Sequence, residues 1–243
     1  IDYILSDNEI KILAGSTVGS VTVTAQSDAI DELAETVMID ILSVINGTEK
    51  GGEQGQQKTI TIADANIPPT VTISTAATSL NEVEGTTTLV TVTLNTISGL
   101  DVVVSIIKTG VARNPSDYNF VSATNEIKIP AGSLSQSAEF VVFADTLNEV
   151  RPGEPAIIEI ACGTTCTVGT ASKITITILD DDPFPTVTLS VGAPSIGEDA
   201  GATTQVIATL NTLSGQDVKV TLTKNGTTTE NVDYTLGEFI LIP

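Results

Sequence analysis

Most acidic side chains between residues 82 and 182 fall into four short clusters. These are Glu82 within Asn81-Glu82-Val83-Glu84-Gly85, Asp117 before Tyr118, Asp145 with Glu149 and Glu154, and Asp180-Asp181-Asp182 before Pro183. Their neighbours are turn-forming residues, which place them in loops or at strand ends. Carboxylates and backbone carbonyls supplied by loops are the ligand set of Ca2+, a hard cation that takes six to eight oxygens. Two carboxylates about 5 Å apart repel by roughly 3 kcal/mol at an effective dielectric near 20, so a convergent cluster calls for a cation. A solvated acidic surface explains any one Asp or Glu taken alone. Recurrence shifts the balance, because Asp117-Tyr118 returns as Asp233-Tyr234, a step of 116 residues, and appears earlier as Asp2-Tyr3.

Other stretches return at the same interval. Thr70-Val71-Thr72-Ile73-Ser74 recurs as Thr186-Val187-Thr188-Leu189-Ser190, and Leu94-Asn95-Thr96-Ile97-Ser98-Gly99 as Leu210-Asn211-Thr212-Leu213-Ser214-Gly215. Ile10-Lys11-Ile12-Leu13-Ala14-Gly15 echoes Ile127-Lys128-Ile129-Pro130-Ala131-Gly132. A period of this length marks an array of domains, not a short solenoid repeat.

The elements that must carry these loops are strands. Val90, Val92 and Leu94 alternate with threonines, as do Ile174, Ile176 and Ile178, while Val102, Val104 and Ile106 keep the same two-residue period. That period, with Val, Ile and Thr in the runs and Ser-Gly or Asn-Gly between them, predicts half-buried strands joined by turns. No stretch has a helical period, so the sheets must cover each other. The expected fold is all-β, as tandem immunoglobulin-like antiparallel β-sandwiches. Asn66-Ile67-Pro68-Pro69 and Asp182-Pro183-Phe184-Pro185 mark boundaries and act as short, stiff linkers. The expected domains are the later part of one repeat (1–66), one complete repeat (67–183) and the earlier part of another (184–243). A half sandwich leaves its apolar face in water, which predicts an excerpt of a longer repetitive protein or, more rarely, strands donated by a neighbouring chain.

Ten Lys and Arg against 30 Asp and Glu give a net charge of −20, a surface that repels nucleic acid and anionic membrane and attracts cations. With 41% hydrophobic residues in periodic positions, the chain is expected to fold. It contains no run of 18 apolar residues, so no membrane insertion is expected, and it shows no targeting signal of its own. The absence of histidine excludes a Ser-His-Asp or Cys-His site and the commonest zinc ligand. Cys162 and Cys166 read as a disulfide pinching a hairpin loop, or else as two free thiols; the former would favour an oxidising, extracytoplasmic compartment. Gly51-Gly52-Glu53-Gln54-Gly55 reads as a flexible hairpin loop. Asn46-Gly47-Thr48 and Asn225-Gly226-Thr227 read as turns rather than glycosylated sequons.

Ser79-Leu80-Asn81-Glu82-Val83-Glu84-Gly85, Ser116-Asp117-Tyr118, Ile129-Pro130-Ala131-Gly132, Ala144-Asp145-Thr146-Leu147-Asn148-Glu149 and Ile178-Leu179-Asp180-Asp181-Asp182 together resemble, in order, the Calx-beta family of calcium-binding sandwich repeats. The resemblance implies calcium ligands at Glu82, Asp117, Asp145, Glu149, Asp180, Asp181 and Asp182, with Glu154 and the Leu147 carbonyl as additions. In the first copy it implies Asp2, Asp28, Glu32, Glu35 and Asp64; Ala65 and Asn66 replace the last two aspartates there, which predicts a weaker site. The third copy contributes Glu198 and Asp233. The family often has an aspartate pair where this chain has Ala144-Asp145, and Arg151-Pro152-Gly153 adds length before Glu154, departures that would lower the number of ions bound.

The function expected on this basis is non-enzymatic: a calcium-stiffened segment of a long extracellular, cell-surface protein such as a bacterial adhesin or filament. Its partners would be calcium ions and neighbouring repeats of the same chain, with surface or glycan targets met through other domains. A calcium-sensing regulatory domain of a membrane transporter and an accessory module of a secreted enzyme are the alternatives. Catalysis within the chain is not expected, since no nucleophile has a recognisable base.

Overall fold

The computed structural model describes residues 2–50, 56–120, 124–198 and 201–243; the glycine-rich stretch 51–55, expected to be a hairpin loop, lies outside them. The described residues form strands and loops without helices. Four strands come first: β1 (Tyr3–Leu5), β2 (Val23–Ala25), β3 (Glu35–Ile39) and β4 (Lys58–Ile62). Ten follow: β5 (Thr70–Thr75), β6 (Ser79–Asn81), β7 (Thr87–Leu94), β8 (Val102–Gly110), β9 (Tyr118–Phe120), β10 (Glu126–Ile129), β11 (Ser135–Val142), β12 (Glu154–Cys162), β13 (Thr167–Val168) and β14 (Lys173–Leu179). The last four are β15 (Val187–Val191), β16 (Val206–Leu210), β17 (Val218–Thr221) and β18 (Phe239–Ile242).

The ten central strands make two five-stranded sheets, in the orders β10-β8-β12-β14-β6 and β13-β5-β7-β11-β9. All pairs are antiparallel except β6 with β14 and β13 with β5, at one edge of each sheet. One apolar cluster fills the space between the sheets. Val71, Ile73, Val90, Val92 and Leu94 enter it from one side, and Val102, Val104, Ile106, Ile158, Ile176 and Ile178 from the other. The two-residue period of the sequence is thus the burial period, and the all-β sandwich it predicts is present. Tyr118, Phe120 and Phe140 are fully buried, with Tyr118 stacked on Phe140 at 4.5 Å between ring centroids. Burying each such side chain is worth about 1.5–3 kcal/mol, which fixes β9 against β11 and therefore the position of Asp117.

Sequence pieces that recur carry the same hydrogen bonds. Thr70 N donates to Asn95 Oδ1 and Thr186 N to Asn211 Oδ1, both at 2.6 Å. Lys108 Nζ donates to the Phe120 carbonyl at 2.8 Å and Lys224 Nζ to the Leu236 carbonyl at 3.0 Å. The strands flanking the central sandwich pair only in twos, β1 with β2, β3 with β4, β15 with β16 and β17 with β18. Many of their apolar residues are accordingly open to solvent, Met38 at 66%, Leu189 at 57% and Phe239 at 51% exposure, although Val37 of β3 is buried. Cys162 and Cys166 form a disulfide between β12 and β13, and Asn46 takes a left-handed φ of 61°, as a turn requires.

Candidate metal centre

Strand register brings the acidic clusters together. β6 runs parallel to β14 with Asn81 opposite Leu179, and Glu82 N donates to the Leu179 carbonyl at 3.0 Å. Glu82 and Asp180 therefore leave the sheet side by side. β12 is antiparallel to β14 with Glu154 opposite Ile178, so Glu154 enters where Asp180 leaves. In the other sheet Val142 ends β11 opposite Tyr118, and Phe143 N donates to the Asp117 carbonyl at 2.9 Å, which sets Asp117 beside the 144–149 loop. Gly85 N donates to the Val142 carbonyl at 3.1 Å and closes the gap between the sheets.

At the centre of this end, carboxylate oxygens of Glu82, Asp180 and Asp182 lie within 4.8 Å of one another. Glu82 is 4% exposed, and Asp180 and Glu154 are 8% exposed. Glu82 Oε2 and Asp182 Oδ2 are buried without a hydrogen-bond partner. A buried carboxylate oxygen with no donor is costly, by about 1–3 kcal/mol or more for a charged group. Burial, then the Asp145 charge, pushes the Glu82 carboxyl up to about 7, with Asp180 and Asp182 adding to it and the Asp145 N–H opposing. Burial, then the Glu154 charge, likewise takes Glu149 to about 7, with Glu82, Asp145 and Asp117 contributing. Glu154 is raised by burial and by Asp117 while Arg113 opposes, and Asp182 by burial and by Asp180, Asp181 and Asp145 while Arg151 opposes. The cluster holds protons tightly first because burial disfavours the charged form, and then because it gathers more negative charge than the protein around it neutralises.

Some of that charge is answered from within. Arg151 Nη2 sits 2.9 Å from Asp180 Oδ2, donates to the Asp182 carbonyl, and its guanidinium lies over the Phe184 ring, 4.9 Å from the centroid. Gly153 makes this possible, because a Cβ there would stand 2.1 Å from the Ile178 carbonyl oxygen. Asn148 Nδ2 donates to Asp180 Oδ2 at 3.1 Å and to the Asp182 carbonyl at 3.3 Å. Glu84 Oε2 accepts from Ala144 N at 3.1 Å, and Asp145 Oδ1 from Leu147 N at 2.7 Å, so the first half of the 144–149 loop is held in place. Asp117 Oδ2 accepts from Arg113 N at 2.5 Å. Asp181 is exposed and stands outside the group of oxygens that meet.

The expected residues of the first copy gather less fully. Asp2, Glu32 and Glu35 bring oxygens within 4.8 Å of one another, and a hydrogen bond with Asp2, in which the protonated Glu35 carboxyl donates, then the Asp2 charge, raises the Glu35 carboxyl. Asp64 is exposed and held low by backbone N–H groups of Glu32 and Asn66; Asp28 accepts from Ile30 N at 2.8 Å and from Asn66 Nδ2 at 3.4 Å. Glu198 and Asp233 are exposed, and Asp233 Oδ2 accepts from Thr229 N at 2.7 Å just as Asp117 does from Arg113 N. Among the described residues they join no group of three.

Arg151, Asn148 and Glu84 are the residues the sequence pattern did not single out for the site. Arg151 had one signal, a cation inserted between acidic positions. Comparison of the sequence with known protein families and with curated proteins returns no match.

The residues present fit a hard cation. The donor set is oxygen alone, the thiols are tied in a disulfide, and two carboxylates of the cluster each keep a buried oxygen without a hydrogen-bond partner.

Proposed function

We propose that the acidic end of the central sandwich binds Ca2+ and that the chain is a calcium-stiffened segment of a long extracellular surface protein of the adhesin or filament kind. The observation that carries the metal reading is Glu82, a side chain 4% exposed whose Oε2 is buried without a hydrogen-bond partner and whose carboxylate comes within 4.8 Å of those of Asp180 and Asp182. Glu82, Asp180 and Asp182 would hold the ion, with Asp117 and Asp145 close enough for their charges to raise the Glu149 and Glu154 carboxyls, so that all four share in neutralisation. A bound ion would supply the positive charge that the cluster lacks. The order of the acidic motifs, the Calx-beta resemblance and the disulfide, which suits an oxidising compartment, support an extracellular repeat protein. Stiffening follows from position, since Asp180-Asp181-Asp182 runs directly into Pro183-Phe184-Pro185.

Calorimetric titration and thermal melting test this reading. A ligand that binds only the native state stabilises it by about 2.7 kcal/mol at 100 times its Kd. Identical melting curves in millimolar calcium and in excess chelator, with no binding heat, remove the metal reading.

A further inference from the structure

The turn Ser98-Gly99 and its repeat Ser214-Gly215 are not simple hairpin turns. Each makes an isolated parallel bridge to the strand group before it, Ser98 with Asp31 and Ser214 with Asn148. Asp31 and Asn148 are equivalent positions, each preceding the glutamate, Glu32 or Glu149, of its own acidic loop. Gly99 N donates to the Asp31 carbonyl and Gly215 N to the Asn148 carbonyl, both at 3.0 Å. The serine shapes its turn in both copies, Ser98 Oγ accepting from Leu100 N at 3.1 Å and Ser214 Oγ from Gln216 N at 3.2 Å. Contact is close: a Cβ on Gly215 would stand 3.2 Å from the Asn148 carbonyl oxygen and 3.2 Å from Glu149 Cγ, and one on Gly99 would stand 2.7 Å from Glu32 Cγ. Ser98 is 1% exposed, Asp31 7% and Asn148 3%, burial that a chance surface contact would not give.

The two joints differ in one atom group. At the first, the Asp31 carboxylate turns to the joint itself, Oδ2 lying 3.4 Å from Ser98 Oγ. At the second, the Asn148 amide turns away and holds Asp180 Oδ2 and the Asp182 carbonyl.

We infer that the Ser-Gly turn is a receptor that clasps the acidic loop of the preceding repeat, and that Asn148 is a positioning residue joining the clasp at Ser214-Gly215 to the Asp180–Asp182 cluster. Its backbone carbonyl is fixed by the following strand group and its side chain by the Asp180 carboxylate and the Asp182 carbonyl, so whatever orders the Asp180–Asp182 segment also orders the joint. The clasp stands on the bridge alone; its response to calcium rests on the metal reading above.

The test uses the whole chain with spin labels at two exposed positions, through Glu139→Cys and Thr209→Cys; the native cysteines are bonded to each other and take no label. Distance distributions are recorded in chelator and at calcium concentrations that calorimetry shows to be saturating for each protein. The native chain gives a distribution that narrows with calcium. Gly215→Val, which presses on the Asn148 carbonyl and on Glu149 Cγ but is not in contact with Glu82, Asp180 or Asp182, broadens it in both conditions while calcium binding is kept. Asn148→Leu keeps the backbone bond and loses the narrowing at its own saturating calcium. An unbroadened Gly215→Val distribution overturns the clasp, and an Asn148→Leu chain that narrows like the native one overturns the coupling. Should the native chain bind no calcium, the metal reading and the coupling fail together, and Gly215→Val in calcium-free buffer decides the clasp by itself.

Discussion

Glu82→Gln reverses the sign of its effect on stability when calcium is added. The substitution keeps the shape of a buried side chain and removes its charge. Without metal at pH 8 the native carboxyl, raised from 4.5 to about 7, must ionise beside Asp180 and Asp182. At 4.8 Å and an effective dielectric near 20, each such pair repels by about 3 kcal/mol. The shift itself bounds the cost at about 3 kcal/mol, and solvent screening together with Arg151 beside Asp180 brings it to roughly 1–2 kcal/mol. In chelator the variant is therefore the more stable protein, by a few °C at about 2–4 °C per kcal/mol for a chain of this size. With calcium at 100 times the native Kd, the native protein gains about 2.7 kcal/mol and the variant loses most of that gain, so the order inverts. Thermal melts of both proteins in chelator and in calcium at pH 8 measure it. A variant that is destabilised equally in both buffers refutes the reasoning, because Glu82 would then be an ordinary packed side chain.

The remaining predictions concern the same charges. Glu82 and Glu149 bind protons more tightly folded than unfolded, so each favours folding fully below about 4.5 and loses that favour as pH rises to about 7. In chelator, urea midpoints should fall between pH 5 and pH 8, and calcium should remove most of the fall. Asp182→Ala, which deletes a buried unpartnered oxygen, should weaken calcium binding in calorimetry more than Asp181→Ala, whose side chain is exposed, and Glu139→Ala on the sheet surface should change it least. Phe140→Ala removes the ring stacked on Tyr118 and should cost about 3–5 kcal/mol in urea denaturation, with or without calcium.

Alternation made the central strands legible, because Val90, Val92 and Leu94 can be buried only if β7 keeps its period against both neighbours. Glu82, Asp180 and Asp182 were joined in one ligand set by the Calx-beta resemblance, and they converge because they follow the ends of the adjacent strands β6 and β14. What the sequence could not show depends on partners far along the chain. Ile127 and Ile129 are buried in β10 beside β8, whereas Ile10 and Ile12, in nearly the same local sequence, are 57% and 58% exposed with no strand beside them. Asp181 looked equivalent to its neighbours in the triplet, but successive residues leaving a strand point to opposite sides, and Asp181 points to solvent. Arg151 and Asn148 carry no acidic signature, and their roles come from where the 144–154 loop crosses the end of β14. Ser98-Gly99 and Ser214-Gly215 had the composition of turns, and only their spatial neighbours reveal the bridges to Asp31 and Asn148.

Diffraction from crystals grown in calcium tests the central claim most directly. The account predicts a strong density peak among the Glu82, Asp180 and Asp182 carboxylates, at the roughly 2.3–2.6 Å oxygen distances that calcium takes, with Glu82 Oε2 among its ligands. Clear density for these side chains with no ion between them, at a calcium concentration far above that which stabilises the protein in solution, would contradict it.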